Sequence, residues 1–393
     1  MSKLDSIVPF DNQEIAEVEE EKTYCDEIIT QPFSPSDIRL ENPPMNLGDL
    51  IDMINEGWIK FDPDYQREQN LWNETQQSRL IESVLLGLRL PAFYFEEVSK
   101  RQWNIIDGLQ RCCAIRNFCV DNTLQLTGLE FLSEGFNGKK FSEMDFATRR
   151  DIRMLPITVN LLNAGVDDMV KYILFKRLNT GGVPLTNQEI RNAIFSGKAI
   201  DAVKEMAKCP EFIEATGGKI ETLRKTDMDF VSRFVAFYVQ GWENYQPDLD
   251  NFINEAMIVL RDRWSDKERT DMIFRFQEAM HLSYELFGNR AFRRQRNRND
   301  RRTPLNKAYF EVISVSFAKM DKLNRDRLLQ KRELLLDNMY CAMNSSRSYC
   351  NSHSGGTADR SAVRTRFSWM EQILEHTLNS NRIRINDNKI EVD

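Results

Sequence analysis

Asp107-Gly108-Leu109-Gln110-Arg111 is the first group of residues whose types and spacing suit chemistry. It lies where a strand pattern ends and a helical one begins, the place where unpaired backbone N–H groups and the helix dipole favour a phosphate. Gly108 would let a phosphate come close, Arg111 would grip it bidentately, Gln110 would orient a ribose, base or water, and Asp107 would hold a metal-bound water. The same residues also read as an ordinary Asp-Gly turn with Asp107 as the helix N-cap. A second group, Phe175-Lys176-Arg177-Leu178-Asn179-Thr180-Gly181-Gly182 followed by Thr186-Asn187-Gln188-Glu189, joins two helical patterns. Its glycine pair permits left-handed backbone and close ligand approach. Here too a structural role competes: Thr186 and Glu189 have the spacing of a capping box, and Asn179 stands where a helix C-cap would.

Pro63-Asp64-Tyr65-Gln66-Arg67 forms a third, polar group flanked by Trp72. Arg67 there either adds positive charge to the same site or makes a surface ion pair. Arg290, Arg293, Arg294, Arg296, Arg298, Arg301 and Arg302 fall within 13 residues. Guanidinium groups so spaced, without apolar partners, form a solvated loop or a patch for nucleic-acid phosphates, with Arg293, Arg294, Arg296 and Arg298 at its centre.

Missing motifs narrow the choice. No G-x-x-x-x-G-K-[ST] and no G-x-G-x-x-G occurs, and His281, His353 and His376 lie too far apart in sequence for HExxH zinc chemistry. Chemistry must therefore use carboxylates, arginine, asparagine and a bound metal or phosphate. Lys and Arg number 53 against 60 Asp and Glu, and residues 1–30 alone hold nine acids and two bases, leaving 51 against 51 elsewhere. A neutral body with an acidic arm is no general nucleic-acid coat, so any polyanion site is a local patch. The longest run without Asp, Glu, Lys or Arg, Met154 to Val166, is 13 residues. A spanning helix needs about 20 apolar ones, so no membrane span is expected. Seven irregularly spaced cysteines point to a reducing cytoplasm.

The elements that must position these residues follow from periodicity. At about 150 residues per domain, 393 residues give two or three domains. Residues 1–45 are acidic and then proline-punctuated, which predicts an extended, partly disordered arm. Helical spacing is predicted from Leu47 to Ile54 and again after Asn73, then a strand from Ala92 to Val98, a second from Trp103 to Ile106, and a helix from Leu109 to Val120. Pro156 to Leu162 reads as a strand, and Val166 to Leu178 and Thr186 to Phe195 as helices. Beyond residue 199 the pattern is helical almost throughout, with a small hairpin around Asn386-Asp387-Asn388 at the end. The fold class is thus α+β: a mixed α/β domain over 46–198 followed by an all-α helical domain over 199–393.

The order and spacing of Pro63 through Arg67 with Trp72, Leu80-Ile81-Glu82-Ser83-Val84-Leu85-Leu86-Gly87 with Pro91, Ile106 through Arg111, Phe175 through Gly182 and Leu185 through Asn192 carry a resemblance. They look like the N-terminal domain of GmrSD-type modification-dependent restriction endonucleases, in the ParB/sulfiredoxin-like superfamily. The likeness covers roughly residues 46–200 and continues more weakly through Leu286-Phe287-Gly288, Ala291-Phe292-Arg293, Asn306-Lys307-Ala308, Gly355-Gly356-Thr357 and Arg366-Phe367. It implies a ParB-like nucleotide-binding domain and Mg²⁺-dependent nucleoside triphosphate hydrolysis. Arg111 and Arg67, beside Tyr65 and Gln66, would neutralise the triphosphate; Gly108 and the following helix end would cradle it. Asn179 and Glu189 would hold Mg²⁺, Asp107 would position the attacking water with Gln110, and Thr180, Gly181 and Gly182 would complete the nucleotide loop.

Two departures stand out: Leu109 replaces the commonest Gln, and Gly182 stands where ParB proteins tend to carry Arg, a charge that Arg177 or Arg111 would supply. GmrSD-type enzymes also append an HNH-like nuclease domain, which three scattered histidines do not build. The resemblance therefore implies a cytoplasmic anti-phage defence protein that senses or acts on phage or modified DNA. Its expected partners are a companion ATPase or nuclease subunit and a second copy of the chain. The alternatives are a metal-dependent DNA nickase or nuclease using the same carboxylates, and a nucleotide-gated adaptor without turnover of its own.

Overall fold

Short-range caps set the frame of the N-terminal part. In the computed structural model, which describes residues 18–19, 40–61, 72–178, 185–222 and 224–392, two short strands come first, β1 (Leu40–Glu41) and β2 (Met45–Asn46). The Asn46 side chain accepts from Asp49 N–H at 3.0 Å while Asp49 Oδ2 accepts from Asn46 N–H at 2.8 Å, a capping box that starts α1 (Leu47–Asn55). Leu47, Leu50, Ile51 and Ile54 line its buried face, as their spacing predicts. After β3 (Ile59–Lys60), a second capping box between Asn73 and Gln76 starts α2 (Glu74–Leu85), which buries Ile81 and Val84. Then come β4 (Phe93–Ser99), β5 (Gln102–Asp107), α3 (Leu109–Ile115), α4 (Ser133–Phe136), α5 (Phe146–Met154), β6 (Pro156–Ile157), β7 (Val159–Leu162), α6 (Asp168–Leu178) and α7 (Asn187–Ile194).

Five strands make one sheet in the order β1, β7, β4, β5, β3. β4 is antiparallel to β5 and parallel to β7, and β3 runs parallel to β5. Phe93 and Phe95, both 0 % exposed, point from β4 into a core shared with α1, α2 and the Cys112 and Ile115 side chains of α3. Burying each phenyl ring contributes about 2–3 kcal/mol, so α3 is held against the sheet by its apolar face.

Local details differ from the periodicity. The 1–45 arm ends in the sheet: Leu40 pairs with Leu162, and Met45 with Ile157 in a separate two-stranded ladder. Strands two residues long carry no period for a sequence to display. The single strand expected over Pro156 to Leu162 is two, because the chain leaves β2 at Ile157 and joins β4 at Val159. The single helix expected over Leu109 to Val120 widens after Ile115: Asp121 N–H donates at 2.8 Å to Arg116 O, five residues back. Helix α5, capped by Asp145, went unread because it buries only Ile152.

The chain divides into two units, Thr30–Ile194 and Phe195–Asp393, the second taking in the N-terminal residues through Ile29. Helices of the second unit are α8 (Lys198–Lys208), α9 (Pro210–Thr216), α10 (Thr226–Gln240), α11 (Leu249–Asp262), α12 (Asp266–Phe287), α13 (Lys307–Lys319), α14 (Lys322–Gln330), α15 (Arg332–Ser345), α16 (Arg347–Asn351) and α17 (Arg360–Leu378). Phe212, Phe230, Phe234, Phe276, Phe292 and Phe310 interlock at their centre, with ring centroids 4.7–6.5 Å apart. Within this apolar core the Arg366 and Glu311 side chains, both 0 % exposed, pair with each other. The unit closes on a hairpin of β8 (Ile383–Asn386) and β9 (Lys389–Val392), whose turn residues Asp387 and Asn388 both have positive φ, +46° and +58°. No helix among the described residues is long and apolar enough to cross a membrane.

Candidate functional site

β5 ends at Asp107 and α3 begins at Leu109, with Gly108 between them at φ +102° and ψ 14°. Glycine is required there twice over. The backbone is left-handed, and a Cβ would meet Phe93 Cδ1 at 2.8 Å. Gly108, not Asp107, is therefore the N-cap residue, and no side chain caps the helix. Its first internal bond runs from Cys112 N–H to Gly108 O at 2.8 Å. Among the described residues nothing accepts from the N–H groups of Leu109, Gln110 and Arg111, the donors that a helix start offers to an anion.

Arg111 turns back over this corner. Its Nη2 donates to Asp107 Oδ2 at 2.7 Å, its Nη1 donates to Ala92 O at 3.1 Å and also to Pro91 O, and its Cζ lies 4.8 Å from the Phe93 ring centroid. Asp107 carries its charge into an ion pair, and the Arg111 side chain, 11 % exposed, clamps the start of β4 to the end of β5. Gln110 is also engaged, its Oε1 accepting from Trp72 N–H at 3.4 Å. Gln77 holds the other side of Trp72, donating to its carbonyl at 2.9 Å while accepting from Asn117 Nδ2 at 2.9 Å. Asn117 stands in the widened turn after α3, so Gln110 and Asn117 tie both ends of that helical segment to the start of α2.

The capping role expected of Glu189 is present. Its Oε2 accepts from Thr186 N–H at 2.6 Å while Thr186 Oγ1 accepts from Glu189 N–H at 3.1 Å, which is the capping box of α7. Arg177 is exposed in the last turn of α6. Tyr65, Gln66, Arg67, Asn179, Thr180, Gly181 and Gly182 lie outside the described residues.

Other polar residues of this unit escaped the sequence reading. Arg191, 0 % exposed, donates from Nη1 to Gln188 Oε1 at 2.6 Å and lies 5.7 Å from the Tyr172 ring, while Gln188 donates to Asn192 Oδ1 at 3.0 Å. Lys171 bridges Glu96 of β4 at 2.5 Å and Asp168 at 3.1 Å. Burial lowers the Lys171 pKa, but hydrogen bonds and charge from Glu96 and Asp168 more than offset it and hold the ammonium above the ordinary lysine range. The Asp168–Lys171 spacing was visible on the helix; Glu96, from a distant strand, was not.

The arginine-rich loop is more deeply paired than its composition implies. Arg293 is buried and donates to Thr303 O, so it is withdrawn from any phosphate-facing surface. Arg298 pairs with Asp337 at 2.9 Å and with Glu333, both on α15. Arg294 pairs with Glu19. Arg296 remains exposed, its Nη2 3.7 Å from Cys350 Sγ. Of the four, Arg293 alone is buried, while Arg294 and Arg298 are ion-paired and Arg296 and Arg298 are exposed.

No curated protein and no solved structure matches the chain. Four of the five sheet strands, β3, β4, β5 and β7, and the Gly108 corner fall within the segment that a family model does match. Residues 47–196 match the family model described as GmrSD restriction endonuclease, N-terminal domain.

Proposed function

We propose that the chain is a DNA-directed, restriction-type defence protein whose 47–196 domain binds a nucleoside triphosphate at the start of α3. The match of residues 47–196 to a restriction endonuclease domain supports DNA as the target and restriction as the setting. The observation that carries the nucleotide reading is the uncapped start of α3 behind Gly108, where three backbone N–H groups have no acceptor among the described residues. Among the described residues no group of three or more His, Cys, Asp and Glu side chains could hold a metal ion. Mg²⁺ enters in this reading as the counter-ion of the nucleotide, held mainly by its phosphates.

In this reading a phosphate at the helix start competes with Asp107 for Arg111, and the released carboxylate orients the attacking water. Gln110 keeps the Trp72 side of the site in place. Glu189 supports the loop before α7 through its capping box and acts on the nucleotide indirectly. Arg294 and Arg296 would contact DNA phosphates, and the cytoplasm, with phage or modified DNA, a companion ATPase or nuclease and a second copy of the chain, completes the proposed setting.

A gated adaptor that binds nucleotide without turning it over is the second reading, favoured by the ion-paired Asp107 and the capping Glu189. Phosphate release from each of the four NTPs with Mg²⁺, with and without duplex or phage DNA, separates these readings when wild type is compared with Asp107→Ala. Release that DNA stimulates and the variant lacks supports hydrolysis. A thermal shift with nucleotide but no release supports the adaptor. If no nucleotide binds, and plasmid is nicked with Mg²⁺ alone, the nucleotide reading falls and a metal-dependent nuclease takes its place.

A further inference from the structure

The pairing of Glu19 with the arginine-rich loop has the geometry of a recognition event. Leu305 is flanked by two lengths of chain: Arg293 bridges it antiparallel on one side and Val18 bridges it parallel on the other, with Glu19 N–H donating to Leu305 O at 2.8 Å. The N-terminal arm thus adds a short extended segment to the loop through its backbone. Its side chain then fills a small set of donors. Arg294 offers Nε to Glu19 Oε2 at 3.2 Å and Nη2 to Oε1, a fork matched to two oxygens, and Asn306 Nδ2 donates to Oε2 at 2.8 Å. Asn306 is 4 % exposed and fixed before any ligand arrives, because its Oδ1 accepts from Tyr309 N–H at 2.7 Å and its Nδ2 also donates to His353 O at 2.8 Å.

A guanidinium fork and a preset amide converging on two oxygens suit a phosphodiester as well as a carboxylate. Charge on each side agrees with this. The arm holds nine acids and two bases over residues 1–30, and residues 290–302 hold seven arginines and Asp300. Such a loop, next to a neutral body, attracts a polyanion; here the anionic group present is the Glu19 carboxylate of the chain's own acidic segment.

We propose that Arg294 and Asn306 form a phosphodiester site that Glu19 occupies in the resting protein, so that the acidic arm is an intramolecular competitor which nucleic acid must displace. The inference rests on the reading of DNA as the target. It adds that DNA affinity is set by the docked fraction of the arm, since an apparent Kd is weakened by the fraction of molecules whose site is closed.

The test uses full-length wild type, E19Q and R294Q, with two readouts: anisotropy with a short labelled duplex at low salt, and hydrogen exchange of the peptide that contains Glu19. Glu19 is a quarter exposed, so E19Q leaves the helical core unaltered. For an arm docked about nine-tenths of the time, E19Q should bind duplex about tenfold more tightly. R294Q should bind more weakly than E19Q. The Glu19 peptide should be protected in wild type, should lose protection in both variants, and should lose it in wild type on adding duplex. Equal duplex affinity of wild type and E19Q, or a Glu19 peptide still protected at saturating duplex, overturns the competition. If neither form binds duplex while protection still depends on Glu19, the DNA target itself fails, and the contact is only an internal clasp.

Discussion

Replacing Arg111 by alanine removes four contacts at once, and their sum can be set out from the geometry. Two are hydrogen bonds from a charged donor to the Pro91 and Ala92 carbonyls, each contributing about 1 kcal/mol net and leaving an acceptor unpaired when lost. The guanidinium over Phe93 adds about 0.5–1 kcal/mol. The ion pair with Asp107, a side chain one-third exposed, adds less than about 1 kcal/mol after solvent screening. Arg111→Ala should therefore cost about 3 kcal/mol, which for a unit of this size lowers Tm by roughly 6–12 °C. Arg111→Lys, which keeps the charge but cannot serve two carbonyls, an aspartate and a ring face together, should fall between the two.

Differential scanning calorimetry on the three proteins measures this directly. A melting point for Arg111→Ala within about 2 °C of wild type would refute the clamp and return the guanidinium to the role of a free phosphate ligand. The outcome also governs how activity data are read. Loss of hydrolysis in Arg111→Ala mixes a missing ligand with a loosened β4–α3 corner, whereas Asp107→Asn leaves both carbonyls and the ring contact intact. Asp107→Asn should therefore keep Tm to within about 1 kcal/mol equivalent, and its effect on turnover can be assigned to chemistry.

Glu189→Gln retains a residue that can complete the capping box, whereas Glu189→Ala loses it; chemical denaturation should show no change for the first and a loss of about 1 kcal/mol for the second, and a turnover defect in Glu189→Gln would restore the carboxylate as a metal ligand. Glu311→Gln leaves Arg366, 0 % exposed, without its counter-charge and should destabilise the helical unit by about 3–5 kcal/mol, read as a shift in its denaturation midpoint. His353 is buried, and burial, followed by the charges of Arg366 and Arg294, pulls its pKa down to about 3 despite the hydrogen bond to Tyr349 O. Because the unfolded chain takes up this proton near pH 6.5, the neutral ring's contribution is complete above that pH and is lost as pH falls from 6.5 toward 3. About 2 kcal/mol should disappear between pH 7 and 5, a slope missing in His353→Gln if it folds, with equilibrium unfolding against pH as the measurement.

The parts of this molecule that were legible in its sequence are those decided by neighbours a few residues apart. Capping pairs at Asn46 and Asp49, Asn73 and Gln76, and Thr186 and Glu189 sit three residues apart, and each starts a helix where the spacing says it should. The Asp107–Arg111 corner was found for the same reason, since a strand end, a glycine and a helix start follow one another directly. What the spacing did not reveal is which way each charge turns. The spacing aims Arg111 outward at a ligand, whereas its carbonyl partners are Pro91 and Ala92, twenty and nineteen residues back and just before the neighbouring strand.

The arginine-rich loop makes the same point more strongly. Seven like charges in 13 residues are equivalent by composition, but their fates differ because their partners come from far along the chain. Arg294 meets Glu19 across 275 positions, Arg298 meets Asp337 across 39, and Arg293 turns into its own loop to reach Thr303. A cation buried or paired in this way is no longer available to a phosphate unless its partner gives way, so the number of arginines overstates the affinity of the patch at rest. The useful quantity is how easily each partner leaves. Thr303 belongs to the same loop as Arg293, and Asp337 to a helix. Glu19 reaches Arg294 from 275 positions away and is a quarter exposed, so a competing polyanion can take its place without moving a helix, whereas Arg293 stays tied into its own loop.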